Sequence, residues 1–329
     1  MNSGIEAWLG ANGGVFSRAE ALESGESDRS LFVARKAGLI IRLRRGMYAP
    51  AETYNALDDA GRHLLHAQAV LAMQQGSVAL TGASAAALHG FALYDQDLAT
   101  VHLVRLDSGS SRRRSLVNHH VVTQDIEEDI VTYDGIAAVT PARAVWEVAC
   151  RSSIEGGVVT ADSALHQLPE LMDQIEEHSE RFAYFPGSRQ GRTTIGLADG
   201  RSESPGESVT RVQCHRFGIP MPELQYRVVH HRGRLVGVTD FAWEDHRHLA
   251  EFDGKIKYQR LLRPGETAAD CVFREKRRED DLRSCLYGMS RFTWTDVMRS
   301  NARQSMVDLA AALEQSRRLY VRPRTVIAS

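Results

Sequence analysis

Val238-Thr-Asp240-Phe-Ala-Trp243-Glu-Asp-His-Arg247-His-Leu-Ala-Glu251-Phe-Asp253-Gly-Lys255 is the stretch on which the reading of this chain turns. Leu235 to Trp243 and Leu249 to Asp253 carry the branched and aromatic side chains of strands, separated by the polar turn Glu244 to Arg247. Successive side chains of a strand alternate faces. Glu251, Asp253 and, if the strand persists past Gly254, Lys255 then project from one side, with Ala250 and Phe252 on the other. Antiparallel pairing brings Asp240 to the same spot. Carboxylates gathered in a partly desolvated cleft repel one another, so such a set makes sense around a divalent cation. Oxygen ligands favour Mg²⁺ or Mn²⁺, and such an ion activates water toward a phosphodiester. Lys255, with Lys257 as substitute, is placed to hold the water or neutralise the transition state. The other reading is of surface strand acids balanced by Arg247, Lys255 and Lys257. Carboxylates are depleted in strands, which favours the first.

Upstream, Glu207 to Phe217 fits a helix ended by Gly218, and Leu224 to His230 reads as a strand joined to Leu235 to Trp243 by His231-Arg232-Gly233. Downstream, Phe273 to Leu286 reads as a charged helix and Ser290 to Trp294 as a short strand. An acid, a further acid about a dozen residues on and a near-adjacent lysine resemble the PD-(D/E)XK nuclease pattern. The ordered phrases Glu203-Ser-Pro-Gly-Glu207-Ser, Pro222-Glu-Leu-Gln225, Asp240-Phe-Ala-Trp243, Glu251-Phe-Asp253-Gly-Lys255-Ile-Lys257-Tyr258 and Glu275 to Arg283 are similar to its very-short-patch-repair-like branch. That resemblance implies a restriction-endonuclease-like α/β domain with a central mixed sheet. Its catalytic set would be Glu207, Asp240, Glu251, Asp253, Lys255 and Lys257, with Asp240, Glu251 and Asp253 on the metal. Two registers fit: Asp253 with Lys255, or Glu251 with Asp253 standing where the family has lysine.

From Ser3 to Pro50 the order is helix, helix, helix, hairpin. Ser17 and Ser27 are N-cap residues, Gly38 closes the helix that runs to about Lys36, and the runs Leu39 to Leu43 and Met47 to Ala49 flank Arg44-Arg45-Gly46. This is the order of a winged helix-turn-helix. Arg29, Ser30, Val33 and Arg35 would face a major groove, while Arg42, Arg44 and Arg45 on the wing would reach phosphate or a minor groove. Glu20, Glu23, Glu26 and Asp28 offset that charge, which leaves open a module used for protein contacts. Gly13-Gly14-Val-Phe16-Ser17-Arg-Ala-Glu20-Ala-Leu22 and Arg44-Arg45-Gly46-Met-Tyr48 are similar to the N-terminal domain of AbiEi-type antitoxins of type IV toxin–antitoxin systems. Ser84-Ala-Ala-Ala-Leu88-His89-Gly90 and Val139-Thr-Pro-Ala-Arg143 resemble the middle region that accompanies it. The resemblance implies DNA as a partner, repression of the protein's own operon and a cognate toxin.

Between these ends, Leu57 to Gln75 is amphipathic and expected to pack on the first module. Val101 to Arg105 and Val117 to Val122 are strand-like around a flexible basic turn, Ser108 to Arg114. Asp134-Gly135 turns into a strand, and Pro141 opens a helix to Cys150. The Gly-, Ser-, Arg- and Thr-rich run between His178 and Ser204 is the best junction. The expected architecture is α+β: a winged helix over 1–55, a mixed middle domain over 56–180, a nuclease-like domain over 200–300 and a C-terminal helix and tail over 301–329. The 329 residues carry a formal net charge of -2, so nucleic-acid binding must come from local patches.

Cys150, Cys214, Cys271 and Cys285 lack zinc or disulfide spacing and read as reduced thiols. His119-His120, His230-His231 and His246 with His248 lack helical zinc spacing too. Met1 to Gly10 carries acid where a signal peptide needs a basic start, and no run approaches a membrane span, so a cytoplasmic location is expected. Two functions follow as expectations: a Mg²⁺-dependent endonuclease positioned on DNA by a winged helix, or a non-catalytic AbiEi-like repressor and antitoxin with a degenerate nuclease fold.

Overall fold

The computed structural model describes residues 14–74, 76–106, 112–114, 116–120, 126–230, 233–254, 282 and 284–321. Ser17 caps α1 (Arg18–Glu23): its hydroxyl accepts the Glu20 N–H at 3.1 Å while the Glu20 carboxylate accepts the Ser17 N–H at 2.6 Å. Ser27 and Ser30 form the same reciprocal box at the start of α2 (Asp28–Lys36). Each box satisfies donors that a helix start leaves unpaired. Gly38, at φ +73, then turns the chain into the hairpin β2 (Ile40–Arg44) and β3 (Met47–Pro50), with Gly46 at φ +78 in its turn. The short β1 (Phe16–Ser17) pairs with β3, giving the order β1-β3-β2. Phe16, Ala21, Leu31, Ala34 and Ile40 close a small core between helices and sheet. The first helix of the order expected from Ser3 onward falls in residues 1–13, outside the described residues.

A short α3 (Ala51–Ala56) precedes the amphipathic run, which forms α4 (Asp59–Leu71), capped by the Asp58 carboxylate on the Gly61 N–H at 2.8 Å. Leu65 and Ala69 of α4 pack with Leu43, Met47 and Ala49, so the helix seats on the N-terminal hairpin as expected, through these two residues and not through the stripe Leu64, Ala67, Val70 and Leu71 that the helical spacing suggests.

A six-stranded mixed sheet follows, built from β4 (Val78–Leu80), β5 (Val101–Arg105), β6 (Arg112–Arg114), β7 (Val117–His120), β8 (Ile130–Tyr133) and β9 (Ile136–Val139), in the order β6-β7-β5-β4-β9-β8. The basic run read as a loop contributes an edge strand, Arg112–Arg114 pairing antiparallel with Val117–Asn118–His119. Residues 107–111 and 121–125 are outside the described residues. Asp134 and Gly135 both take left-handed φ, as a tight hairpin turn requires. The helices are α5 (Gly82–Leu88), α6 (Pro141–Arg151), α7 (Ile154–Gln167), α8 (Leu171–Arg181) and α9 (Ser188–Gly196). The run read as a junction thus holds α9, and the division of the chain into two compact units falls within it, at 196/197. Its Gly191 sits so close to α6 that a Cβ would meet the Cys150 sulfur at 2.7 Å and the Trp146 ring at 2.9 Å. Small residues here serve close helix packing, which composition alone does not separate from flexibility.

The chain clusters into two compact units, residues 1–164 with 168–196 and residues 165–167 with 197–329. In the second, Ser204 caps α10 (Pro205–Arg216), and β10 (Glu223–Val229), β11 (Leu235–Trp243), β12 (His248–Phe252) and β13 (Gly288–Phe292) form a sheet in that order. The first two pairings are antiparallel and the third is parallel. β13 begins two residues before the predicted strand, and Trp294 opens the short α11 (Trp294–Val297) instead of ending the strand. α12 (Ala302–Tyr320) buries Met306, Leu309 and Leu313. The charged helix predicted over Phe273 to Leu286 falls largely outside the described residues.

Burial pushes the Cys150 and Cys214 thiols up to about 12, so both stay protonated. No described helix is long and apolar enough to cross a membrane.

Candidate functional site

The N-terminal module carries exposed basic side chains on α2 and on the β2–β3 hairpin. On α2 the apolar Leu31 and Ala34 turn inward, which leaves Arg29, Phe32, Val33, Arg35 and Lys36 exposed on the other side. The Arg35 guanidinium and the Lys36 ammonium lie over the Phe32 ring, at 5.8 and 6.0 Å from its centroid. Such contacts hold long basic side chains beside an aromatic face. Ser30 is differently placed: its hydroxyl accepts the Ser27 N–H and donates to the Ser27 carbonyl, each at 2.8 Å, so the helix cap occupies it. Arg42 and Arg45 are exposed on the hairpin and Arg44 is half-buried, with the Arg42 Nε donating to the Arg44 carbonyl at 3.3 Å. Two of the offsetting acids are engaged locally. Glu20 closes the α1 capping box, and Asp28 is paired with Arg18 at 2.6 Å, a hydrogen bond that holds its carboxyl below the usual carboxylate range.

In the second unit two of the predicted acids, Asp240 and Glu251, stand opposite each other on the sheet. The β11–β12 register sets Phe241 against Ala250, so Asp240 lies opposite Glu251, and the Asp240 carboxylate accepts the Phe252 N–H at 2.7 Å. Phe252 points the other way, its ring against Gly206 of α10 and edge-on to Trp294. Leu224 and Tyr226 pair with Phe241 and Thr239, which places Gln225 opposite Asp240; Gln225, at φ +51, donates to Glu207 at 3.2 Å. Glu207 is buried at the start of α10, where it also accepts from the Glu203 N–H at 2.9 Å and the Ser204 hydroxyl at 2.7 Å. The Glu251 carboxylate faces Arg291 at 3.7 Å, its register partner on β13.

The fold brings Glu207, Asp240 and Glu251 to one region, with Asp253 just past the end of β12. It does not gather them around an ion. Among the described residues, no three His, Cys, Asp or Glu side chains are arranged to hold a metal. Asp240 is taken up by a backbone amide, Glu207 by the turn into α10, and Glu251 by a guanidinium. Each of these three carboxylates thus has a protein partner in this structure. Lys255 and Lys257 lie outside the described residues. Gln225 and Arg291 were missed as site residues. Gln225 stands in a family-like phrase, but its glutamate partner is eighteen residues away and invisible to local pattern.

Sequence reasoning also missed a buried charge network in the first unit. Arg143 donates to Asp129 at 2.7 Å and to Glu147 at 3.1 Å, and all three are at most 4% exposed. Glu147 further accepts the Gly82 N–H at 2.9 Å and the Thr81 hydroxyl, with Arg151 at 3.6 Å. His178 and Arg181 each reach Asp129 at 3.2 Å. Burial pushes the Glu147 carboxyl up, but Arg151, Arg143 and the Thr81 hydroxyl outweigh it and hold the group below its ordinary value. Nearby, the His102 and His120 rings stack with 3.0 Å between nitrogens, and burial beside Arg151 lowers both to about 4.

Proteins Rv2248 (strain ATCC 25618 / H37Rv) and MT2308 (strain CDC 1551 / Oshkosh) of Mycobacterium tuberculosis, both described as uncharacterized, are each 30% identical to this chain over 266 residues, covering 76% of it and 92% of their own length. The chain belongs to the family of Rv2248. Within this Rv2248 family member, residues 5–51 match the family model described as "Transcriptional regulator, AbiEi antitoxin". The N-terminal domain is thus of the AbiEi antitoxin type, and it contains these basic side chains. The crystal structure of the Rv2827c protein from Mycobacterium tuberculosis matches 60% of this chain and 81% of its own at 16% identity, with a TM-score of 0.38. That likeness is too distant to bear on function.

Proposed function

We propose that this protein is a DNA-binding transcriptional regulator of the AbiEi antitoxin type, with its own promoter and a cognate toxin as partners. α1, α2 and the β2–β3 hairpin act as a winged helix-turn-helix. Arg29, Val33 and Arg35 of α2 face base edges in the major groove, and Arg42, Arg44 and Arg45 rest on backbone phosphates. The observation that carries this reading is the set of exposed basic side chains lying inside the segment that matches the AbiEi regulators. Asp28 is already paired with Arg18, so it offsets their charge less than composition suggests. The second unit is a scaffold of nuclease-like order without hydrolytic activity, its acids engaged by backbone and arginine.

The test is titration of the protein against duplexes of its own upstream region over a range of salt. Arg29→Ala should weaken the best duplex by about 1–3 kcal/mol and blur its sequence preference. Arg45→Ala should weaken all duplexes alike and lower the slope of log K against log salt by about one. Equal binding by wild type and both variants would remove the DNA-reading role.

A further inference from the structure

Within the first unit, a cavity of about 800 Å³ opens between the β2–β3 hairpin, α4 and the start of β5. Its size falls within the range of small-molecule sites, about 300–1,000 Å³. Arg44 and Arg45 line it from the hairpin and Arg62 from α4, against a single lining carboxylate, Asp59, which lies 3.5 Å from Arg62. The lining imidazoles do not add charge, since His66 is lowered by burial, by His63 and by Arg44, and His63 by burial. Arg44 and Arg45 bring two further guanidiniums to the space beside the Arg62–Asp59 pair, and guanidinium is the side chain best shaped for phosphate.

Arg62 is fixed for such a role. Its Nε donates to the Tyr54 carbonyl at 3.1 Å and one Nη to the Asn55 carbonyl at 3.4 Å, while the other Nη faces Asp59. Its guanidinium lies 5.4 Å from the Tyr54 ring centroid, and one N–H on each Nη is left for an incoming anion. The Tyr54 ring, which His66 meets edge-on, lines the space with Leu98 and Val101 and offers a surface for a flat apolar body, and Gln96, whose amide donates to the Tyr94 carbonyl, adds a polar group to the lining.

We propose that this cavity binds a small phosphorylated molecule with an aromatic body, a nucleoside monophosphate in its chemistry. Arg44 and Arg45 belong at once to this cavity and to the residues assigned to DNA. The bound molecule therefore competes for the hairpin arginines and loosens the protein from its promoter, a regulatory consequence that rests on the DNA-binding reading. A phosphate of the DNA backbone has the same anionic chemistry, and the experiment separates the two.

Calorimetric titration of the full chain with adenosine and guanosine 5′-monophosphates, with inorganic phosphate alongside, reads the cavity without DNA present. At least one nucleotide should bind more tightly than inorganic phosphate. Arg45→Ala and Arg62→Lys should each weaken it by about tenfold or more. Ala99→Trp keeps every arginine but adds an indole to the cavity lining, and should abolish nucleotide binding while leaving promoter binding intact. Saturating nucleotide should weaken promoter binding by wild type and have no effect on the Ala99→Trp protein. The proposal is overturned if neither nucleotide binds at about 10 mM, or if wild type and Ala99→Trp bind equally. It is also overturned if Ala99→Trp loses promoter DNA while no nucleotide binds the wild type, since the cavity then seats a backbone phosphate. Nucleotide binding without any promoter binding would keep the cavity and discard the DNA reading instead.

Discussion

Replacing Arg143 by methionine keeps much of its length and removes its charge, and so tests the buried network of the first unit directly. Arg143 is 3% exposed and is the only side chain of the network that bridges Asp129 and Glu147, at 2.7 and 3.1 Å. Taking one partner from a buried pair leaves an uncompensated charge and destabilises by about 3–5 kcal/mol. His178 and Arg181 still reach Asp129, and Arg151 and the start of α5 still face Glu147, so the lower end applies: about 3 kcal/mol, or roughly 6–12 °C in Tm for a unit of this size. Urea unfolding of both proteins at neutral pH measures the difference. Because the Glu147 carboxyl is depressed in the folded state, the stability it contributes is full above its unfolded value near 4.5 and fades as pH falls through the folded one. The gap between wild type and Arg143→Met should therefore narrow below about pH 4.5. A gap below about 1 kcal/mol at neutral pH, or one unchanged on acidification, would refute the account.

Gly206→Ala would drive a methyl group into the Phe252 ring, and should destabilise the second unit by about 1–3 kcal/mol in a urea titration. Histidines 102, 120 and 248 are lowered to about 4 by burial, so stability should be constant above about pH 6.5 and decline from there toward 4, seen as a falling urea midpoint. His102→Gln should flatten part of that decline. With Mg²⁺ or Mn²⁺ and supercoiled plasmid, wild type and Glu251→Gln should show the same background nicking. Metal-dependent cleavage lost in the variant would restore the hydrolase reading of these acids.

Patterns one strand or helix long were legible in the sequence. Ser17 and Ser27 announced their helices because a cap is a local hydrogen bond, and Leu235 to Trp243 announced β11 because side chains alternate every residue. The cross-strand placement of Asp240 against Glu251 followed from the same alternation and a short turn. What the carboxylates do was not legible. Their partners, the Phe252 amide, Arg291 and Gln225, come from neighbouring strands whose register the sequence does not print. The same holds for Arg143, which appeared in a family-like phrase but whose two carboxylates lie fourteen residues before it and four after, meeting only in the folded core. Ser30 reads as a polar residue on a recognition helix, and only the geometry of the cap shows its hydroxyl turned back on Ser27.

The seat of Gly191 against Trp146 bears on how the protein can be divided for experiment. Cutting after residue 180, where composition invites a cut, would carry away α9 and strip an indole of the cover that shields it from water. The N-terminal piece so made would expose a fresh greasy spot and clump, and a soluble fragment should instead end beyond Gly196.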